Sequence, residues 1–425
     1  MSQADSAAEA PLRPAGAELT RLSIILAMGW LVTNVGLQIG TLPLKFVLKD
    51  EVHLAPERVA LFFAIGHASN YLKTLAGVLT DSVPLCGTRR RHYLLFSLIA
   101  TGLGWMLLSF VPRSWNWMLG VYTVMYISVV FTSTTLGGVM VEVGNRFRAA
   151  GRLTAQRIGM FKAAELIGGP IAGILATLPF TVPATVGGAL HLGLIPLLLR
   201  FLPKEPPAKV NRDVWPEVAR QARVVVKSRT LLGAAGMTFL LAAAPGLNTP
   251  LLFYQTDVLH FQKPFIGLLA TFGAAAGMLA SVFYFYACRR FDLRWIVSFS
   301  IVIHCLGALG YLFYKSPQTA IVVSLFSGMT TALATLPVYD ISARATPKGS
   351  EAIGYALMMS VWNITNAMAD VVGSRLFEVF GRNLAPLIWV DALSTLVALA
   401  AVPFMPAALT TREDQHVAED ATAAT

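Results

Sequence analysis

Twelve stretches of about twenty or more mostly apolar residues follow one another along the chain, separated by short clusters of charged residues, proline and glycine. Nothing else in the sequence limits its fold so strongly. At 1.5 Å rise per residue, about 20 helical residues cross ~30 Å of hydrocarbon. In lipid every backbone donor and acceptor must find a partner within the protein, which leaves α-helices for runs of this length. The runs predict spans at 22–46, 57–80, 93–111, 115–143, 155–177, 184–202, 231–254, 264–288, 295–314, 320–345, 351–377 and 384–406. Only 13% of residues are charged and 55% are apolar, whereas a soluble domain carries about 25% charged residues. The expected fold class is an all-α membrane protein with about twelve transmembrane helices in two six-helix bundles.

The division into halves comes from residues 203–230, where Lys204, Glu205, Lys209, Arg212, Asp213, Glu217, Arg220, Arg223, Lys227 and Arg229 exclude a membrane crossing. The predicted organisation is a tail at 1–21, one bundle at 22–202, the linker at 203–230, a second bundle at 231–406 and a tail at 407–425. Within the linker, Val214, Trp215, Val218, Ala222 and Val225 recur at helical spacing opposite Arg220, Arg223 and Lys227, which predicts a short helix on the membrane surface or a solvated linker helix. The first 20 residues are polar and carry Pro11 and Pro14, and the run after them is too long for a signal-peptide core, so no cleaved leader is expected.

The net charge of +10 does not point to nucleic acid, because the basic residues sit in short loops. With the amino terminus in the cytoplasm, 23 Lys and Arg fall on the inner side and 7 on the outer side, Arg157 being counted inside and Lys45 outside. That bias places both termini in the cytoplasm. Cys86, Cys288 and Cys305 show no paired spacing, and no cofactor or metal site is expected. His67, His191 and His304 lie singly in apolar runs and read as packed side chains.

The loop after the second span reads Gly77-Val-Leu-Thr-Asp81-Ser-Val-Pro84-Leu-Cys-Gly87-Thr-Arg89-Arg90-Arg91. Gly77 permits close helix approach, Asp81 accepts from a basic partner, and the arginines bind acidic groups or carbonyls, which together make a latch. The positive-inside rule explains the arginines but not Gly77, Asp81, Pro84 and Gly87. This loop resembles the signature of the major facilitator superfamily, and its Asp-Ser-x-Pro-x-x-Gly-x-Arg-Arg form resembles the folate-biopterin transporter family. Leu42 to Glu51, Thr249 to Phe261, and Thr346 to Glu351 with Tyr355 to Asn363 are similar to the same family, so the resemblance covers both halves. It implies the major facilitator fold and uptake of folates or pterins. The fourth span departs from the family: Val141-Glu142 is present, but Thr132 to Gly138 carries no acidic residue.

A charged residue at the centre of a membrane helix costs about 2.5–3.5 kcal/mol on insertion scales, so each one is expected to face a cavity or a partner. Lys73, Lys162 and Glu165 lie on the second and fifth spans, which border the central cavity in the major facilitator arrangement. They are the expected substrate-binding charges, with an ion pair between Lys162 and Glu165 and snorkelling of Lys73 as the bland readings. Asn34, Gln38, Asn70, Asn248, Asn363 and Asn366 add amides at middle depth, as cavity lining or interhelical glue. Asp81, Arg89, Arg90, Arg91, Glu142, Asp340 and Asp370 are assigned to coupling or gating, with Glu142 expected to pair with Arg148 and Asp340 with Arg344. Asp391 reads as structural, on a peripheral span. Pro245-Gly246 and Thr249-Pro250 interrupt the seventh span, as a gating break or a packing kink.

The expected function is secondary transport of a small organic solute, a folate, a pterin or another organic anion, by alternating access. Proton coupling rests on Glu165, Asp340 and Asp370. A carrier of sugars, drugs or tetrapyrrole-related compounds, a polytopic membrane enzyme and an assembly factor stay open as rivals. Partners are a small-molecule substrate, the lipid bilayer and protons, with no nucleic acid and a monomeric state.

Overall fold

A computed structural model describes residues 12–202, 205, 207, 209–210, 214–347, 350–405 and 409. The first span is α1 (Leu12–Phe46), prolonged by a π-helical turn at Val47–Glu51, and the second comes in three pieces, α2 (Pro56–Gly66), α3 (Ala68–Tyr71) and α4 (Lys73–Ser82). Helices α5 (Arg91–Phe110), α6 (Trp115–Arg146), α7 (Ala150–Leu175) and α8 (Thr181–Phe201) complete the first half, and α9 (Val214–Lys227) is the linker helix. The seventh span is α10 (Arg229–Ala242), α11 (Asn248–Phe253) and a π-helical turn at Tyr254–Val258. After it come α12 (Lys263–Arg290), α13 (Leu293–Gly310), α14 (Pro317–Arg344), α15 (Glu351–Val379) and α16 (Leu384–Val397). The result is an all-α fold of two six-span halves. Nine helices among the described residues are long and apolar enough to cross a membrane by length and composition alone. The second, seventh and eleventh spans are not among them; the second and seventh are each assembled from shorter pieces, and the eleventh, α15, is one helix.

The second span corrects an expectation, since 57–80 reads as one continuous run. The backbone leaves the helix at His67 (φ −87°, ψ 6°) and Leu72 (φ −109°, ψ 21°). Carbonyls released near these breaks find side-chain donors: Tyr71 donates its hydroxyl to Ala64 O at 2.8 Å, and Ser360 donates to Tyr71 O at 2.6 Å. Such partners make an interrupted helix tolerable at membrane depth. In the seventh span the expected interruption is present between Ala242 and Asn248. It is stitched to α15 by Gly246 N–H donating to Ala369 O at 2.8 Å, and a side chain on Gly246 would lie 2.9 Å from the Asp370 backbone.

The halves share an internal repeat at their first spans. Pro43, Asp50 and His53 recur with the same spacing as Pro250, Asp257 and His260. Both histidines sit in the left-handed region (φ 57° and 53°) and close their π-helical turns alike, with Val52 N donating to Val47 O and Leu259 N to Tyr254 O. Two chain segments with matching sequence and matching backbone are what a duplicated bundle produces.

Loop sides alternate, so the molecule has a latch end, carrying Arg89–Arg91 and α9, and a far end, carrying the two π-helical turns. Ion pairs between the halves gather at the far end: Lys49–Asp257 at 2.6 Å, Lys263–Asp50 at 3.0 Å and Arg375–Glu57 at 3.0 Å. Below them α7 and α12 meet through small residues, where a side chain on Gly169 would lie 2.7 Å from Gly267 O. At the latch end the described ion pairs stay within one half, Arg90 with Asp81 and Glu142 in the first and Arg344 with Asp340 in the second. Glu205 ties the linker to the latch by accepting from the backbone N–H groups of Arg89 (2.7 Å), Arg90 (3.0 Å) and Arg91 (2.7 Å), where a carboxylate complements the start of α5. Helix α9 buries Val225 while Trp215 stays 47% exposed. On its polar face Arg220 and Gln221 donate to Glu217 and hold that carboxyl down to about 2.

Candidate binding site between the two halves

The first half supplies cations to the space between the bundles. Lys73 opens α4 just after the second break, and its Nζ donates to Ser133 Oγ of α6 at 2.6 Å. Arg157 of α7 is its electrostatic neighbour. The guanidinium of Arg157 lies 4.5 Å from the centre of the Trp30 ring on α1, a cation–π contact that keeps the charge on the inner side of its helix. Across the gap, Tyr339 of α14 and Tyr355 of α15 lie near Arg157 and are 40% and 39% exposed. Lys162 and Glu165 pair at 2.8 Å further along α7, and their side chains keep 32% and 26% exposure, so the pair faces the opening. Glu165 also lies near Tyr339. The result is two cations and a self-compensated pair on one wall, and two phenols on the other.

A second tier lies toward the far end, around a cavity of about 450 Å³ lined by Gln38, Thr41, Lys45, Asn248, Gln255 and Tyr311 among others. Lys45, in the last turn of α1, donates to Asn248 Oδ1 at 3.3 Å and lies 5.6 Å from the Phe63 ring. It also feels the charge of Asp370. Asp370 accepts from Thr249 N at 2.9 Å and from Thr249 Oγ1 at 2.6 Å, which fixes α11 against α15. Next to Lys45, His67 meets the Tyr122 hydroxyl at 2.8 Å, and its ring lies tilted 4.1 Å from the Tyr126 ring.

The structure thus gathers Lys73, Lys162 and Glu165 in one tier and Gln38, Asn248 and Asp370 in the other. Asn34 turns back to Trp30 O at 2.6 Å and Asn366 to Trp362 O at 2.8 Å, each within its own helix, so their amide donors are engaged locally. Asn366 still lines a chamber inside the second half. Asn70 and Asn363 are half-buried and line neither the cavity between the halves nor the chamber of the second half. Asp81, Arg90 and Glu142 form one ion-paired group, Arg91 donates to Leu199 O at 3.1 Å, and the Arg89 Nε is buried with no hydrogen-bond partner among the described residues. Asp340 pairs with Arg344 as expected, at 2.6 Å. Glu142 does not pair with Arg148; Arg90 takes it at 2.9 Å, because Arg148 sits in the left-handed turn beyond the end of α6 (φ 52°).

Two residues that the sequence reading left out stand at the candidate site. The loop count places Arg157 among the inner-loop cations and Lys45 among the outer-loop cations, although they fall within the predicted spans 155–177 and 22–46. Arg157 lies two turns inside α7, which starts at Ala150, and Lys45 lies inside α1. The available signal was spacing: Arg157 and Glu165 are eight apart, two helical turns on one face.

The profile of the BT1 family matches residues 34–424. The chain belongs to the BT1 family. A folate-biopterin transporter of Synechocystis sp. is 27% identical over 412 residues, covering 90% of this chain and 82% of that protein. Folate transporter 1 of Plasmodium falciparum is 21% identical over 362 residues, covering 79% and 68%. Among solved structures, the nucleoside transporter NupG superposes with a TM-score of 0.71 at 14% identity, covering 91% of this chain and 98% of that one. A D-xylose-proton symporter gives 0.69 at 13%, covering 92% and 98%. This BT1 chain has the major facilitator fold, and it is a multi-pass membrane transporter of small organic solutes, not an enzyme.

Proposed function

We propose that this BT1 protein carries a folate- or pterin-like organic anion by alternating access, with the solute held between the halves. The observation that carries this reading is the convergence of Lys73 and Arg157 opposite Tyr339 and Tyr355. Two cations take the carboxylates of such a solute through charge-assisted hydrogen bonds, and the ring faces take a flat heterocycle. Folate or biopterin transport by the relatives supports the solute class. The far-end ion pairs close one route between the halves, and the half-exposed tyrosines and the Lys162–Glu165 pair leave access from the latch end. In this reading the latch end is cytoplasmic, both termini lie there, the chain sits in the cytoplasmic membrane as a monomer, and protons drive the cycle.

Isothermal titration of the purified protein with folic acid tests the assignment. The expected result is saturable binding that Lys73→Ala and Arg157→Ala each weaken. No heat of binding from the wild-type protein, or affinities unchanged in both variants, would return the two cations to packing roles.

A further inference from the structure

The second half contains a chamber of about 360 Å³, walled by α10, α13, α14, α15 and α16. It adjoins the cavity between the halves, since Leu247, Asn248, Tyr311 and Ser327 line both. Its wall is polar for a bundle interior, with Ser300, Ser327, Thr330 and Asn366 among the lining residues. It also holds unmet hydrogen-bonding capacity: His304 Nδ1 and Thr395 Oγ1 are buried with no partner among the described residues. At ~30 Å³ per molecule there is room for several waters, and polar walls with orphaned atoms are what ordered water occupies.

Asp391 opens into this chamber and is 6% exposed. It forms no ion pair or hydrogen bond among the described residues, in contrast to every carboxylate first assigned to coupling. Glu165 has Lys162, Asp340 has Arg344 and Tyr284, and Asp370 has both Thr249 donors. Those three are compensated as anions. The titratable groups that face Asp391 are His304, Cys305 and Tyr311 of α13 and its continuation, and Asp370 of α15; α10 and α14 present no charged side chain to the chamber. Among the described residues no lysine or arginine lines the chamber. A carboxylate deep in a membrane protein without a cationic partner is expensive as an anion.

We propose that Asp391 is a proton-binding residue in a water-filled side chamber of the second half, exchanging its proton with the transport path past Tyr311 and Asn248. The role in coupling rests on the transporter reading above, but the site itself does not. Binding a proton converts Asp391 from carboxylate to carboxylic acid, and release to chamber water reverses it, so the step balances without any other reactant.

Infrared difference spectroscopy of the full-length protein across a pH titration in water and in deuterium oxide tests this without a transported solute. The wild type is expected to show a carboxylic C=O band that appears on acidification and shifts in deuterium oxide. Asp391→Asn is expected to lose that band, and Asp391→Glu to retain it at a shifted position, with thermal unfolding confirming that both variants fold. Spectra of Asp391→Asn that match the wild type would overturn the proposal. So would a band that sodium chloride abolishes at constant pH, because the occupant would then be a metal cation. Loss of folic acid binding alone leaves this result intact and tells against the solute assignment instead.

Discussion

Arg157 shows why a single membrane-embedded charge deserves a physical account. Its guanidinium stays in place because Trp30 covers one face at 4.5 Å and two tyrosines lie across the gap. A planar cation that stacks is not equivalent to a flexible ammonium. Replacing Arg157 by Ala removes a charge-assisted interaction of about 1.5–3 kcal/mol, so the folic acid dissociation constant should rise by about ten- to a hundredfold. Arg157→Lys should fall between Ala and wild type, because the charge remains and the stack is lost. Calorimetric titration of the three proteins checks the order, and equal affinities for Lys and wild type would remove the stacking argument. At this scale the sequence disclosed Lys73, Lys162, Glu165 and Asp370, since each interrupts an apolar run. Arg157 and Lys45 sit within a few residues of a span end, where loop cations also collect, and only the three-dimensional position of the ring or amide they touch separates the two cases.

The broken spans are the informative elements. Where α10 gives way to α11, Gly246 and Gly373 let two backbones touch, and a side chain added at Gly373 would overlap Gly246 O. Gly373→Ala should therefore destabilise by about 1–3 kcal/mol, the usual range for overpacking. Gly193→Ala on α8 meets nothing within 4 Å and serves as the control. Thermal unfolding in detergent reads both, and an unchanged midpoint for Gly373→Ala would show that the stitch is slack. The seventh-span break was legible because Pro245, Gly246 and Pro250 announce it. The second-span breaks were not, because no proline lies between Glu57 and Asp81; the partners that make those breaks tolerable, Tyr71 and Ser360, are set by tertiary contact. Glu205 belongs to this scale too. Glu205→Gln keeps acceptor capacity through one oxygen but loses the charge at the start of α5, so the linker should become more open to protease than in the wild type. Cleavage at equal rates in both proteins would count against the tie.

Taken as a whole, the molecule is asymmetric about the membrane plane. Among the described residues, the ion pairs that join its halves sit at the far end, and Arg90–Asp81 and Arg344–Asp340 at the latch end each remain within a half. In the proposed alternating-access cycle, that asymmetry corresponds to a state open at the latch end. The two-half architecture was readable from hydropathy and the charged linker, and the repeat of Pro43, Asp50 and His53 as Pro250, Asp257 and His260 adds a second witness. Which end is closed was not readable, because pairing partners such as Lys49 and Asp257 lie far apart in sequence. A disulfide formed between cysteines replacing Asp50 and Lys263, on a background lacking Cys86, Cys288 and Cys305, should lock the far end and abolish uptake until reduced. Full uptake by the cross-linked protein would show that the far end does not need to open.

Uptake of radiolabelled folic acid into proteoliposomes, with an inward proton gradient, tests the cation pair most directly. The wild-type protein should accumulate the label, and the Lys73→Ala, Arg157→Ala double variant, folded by its unfolding midpoint, should fall to the level of protein-free vesicles. Equal accumulation by the two proteins, or none by the wild type, would contradict it.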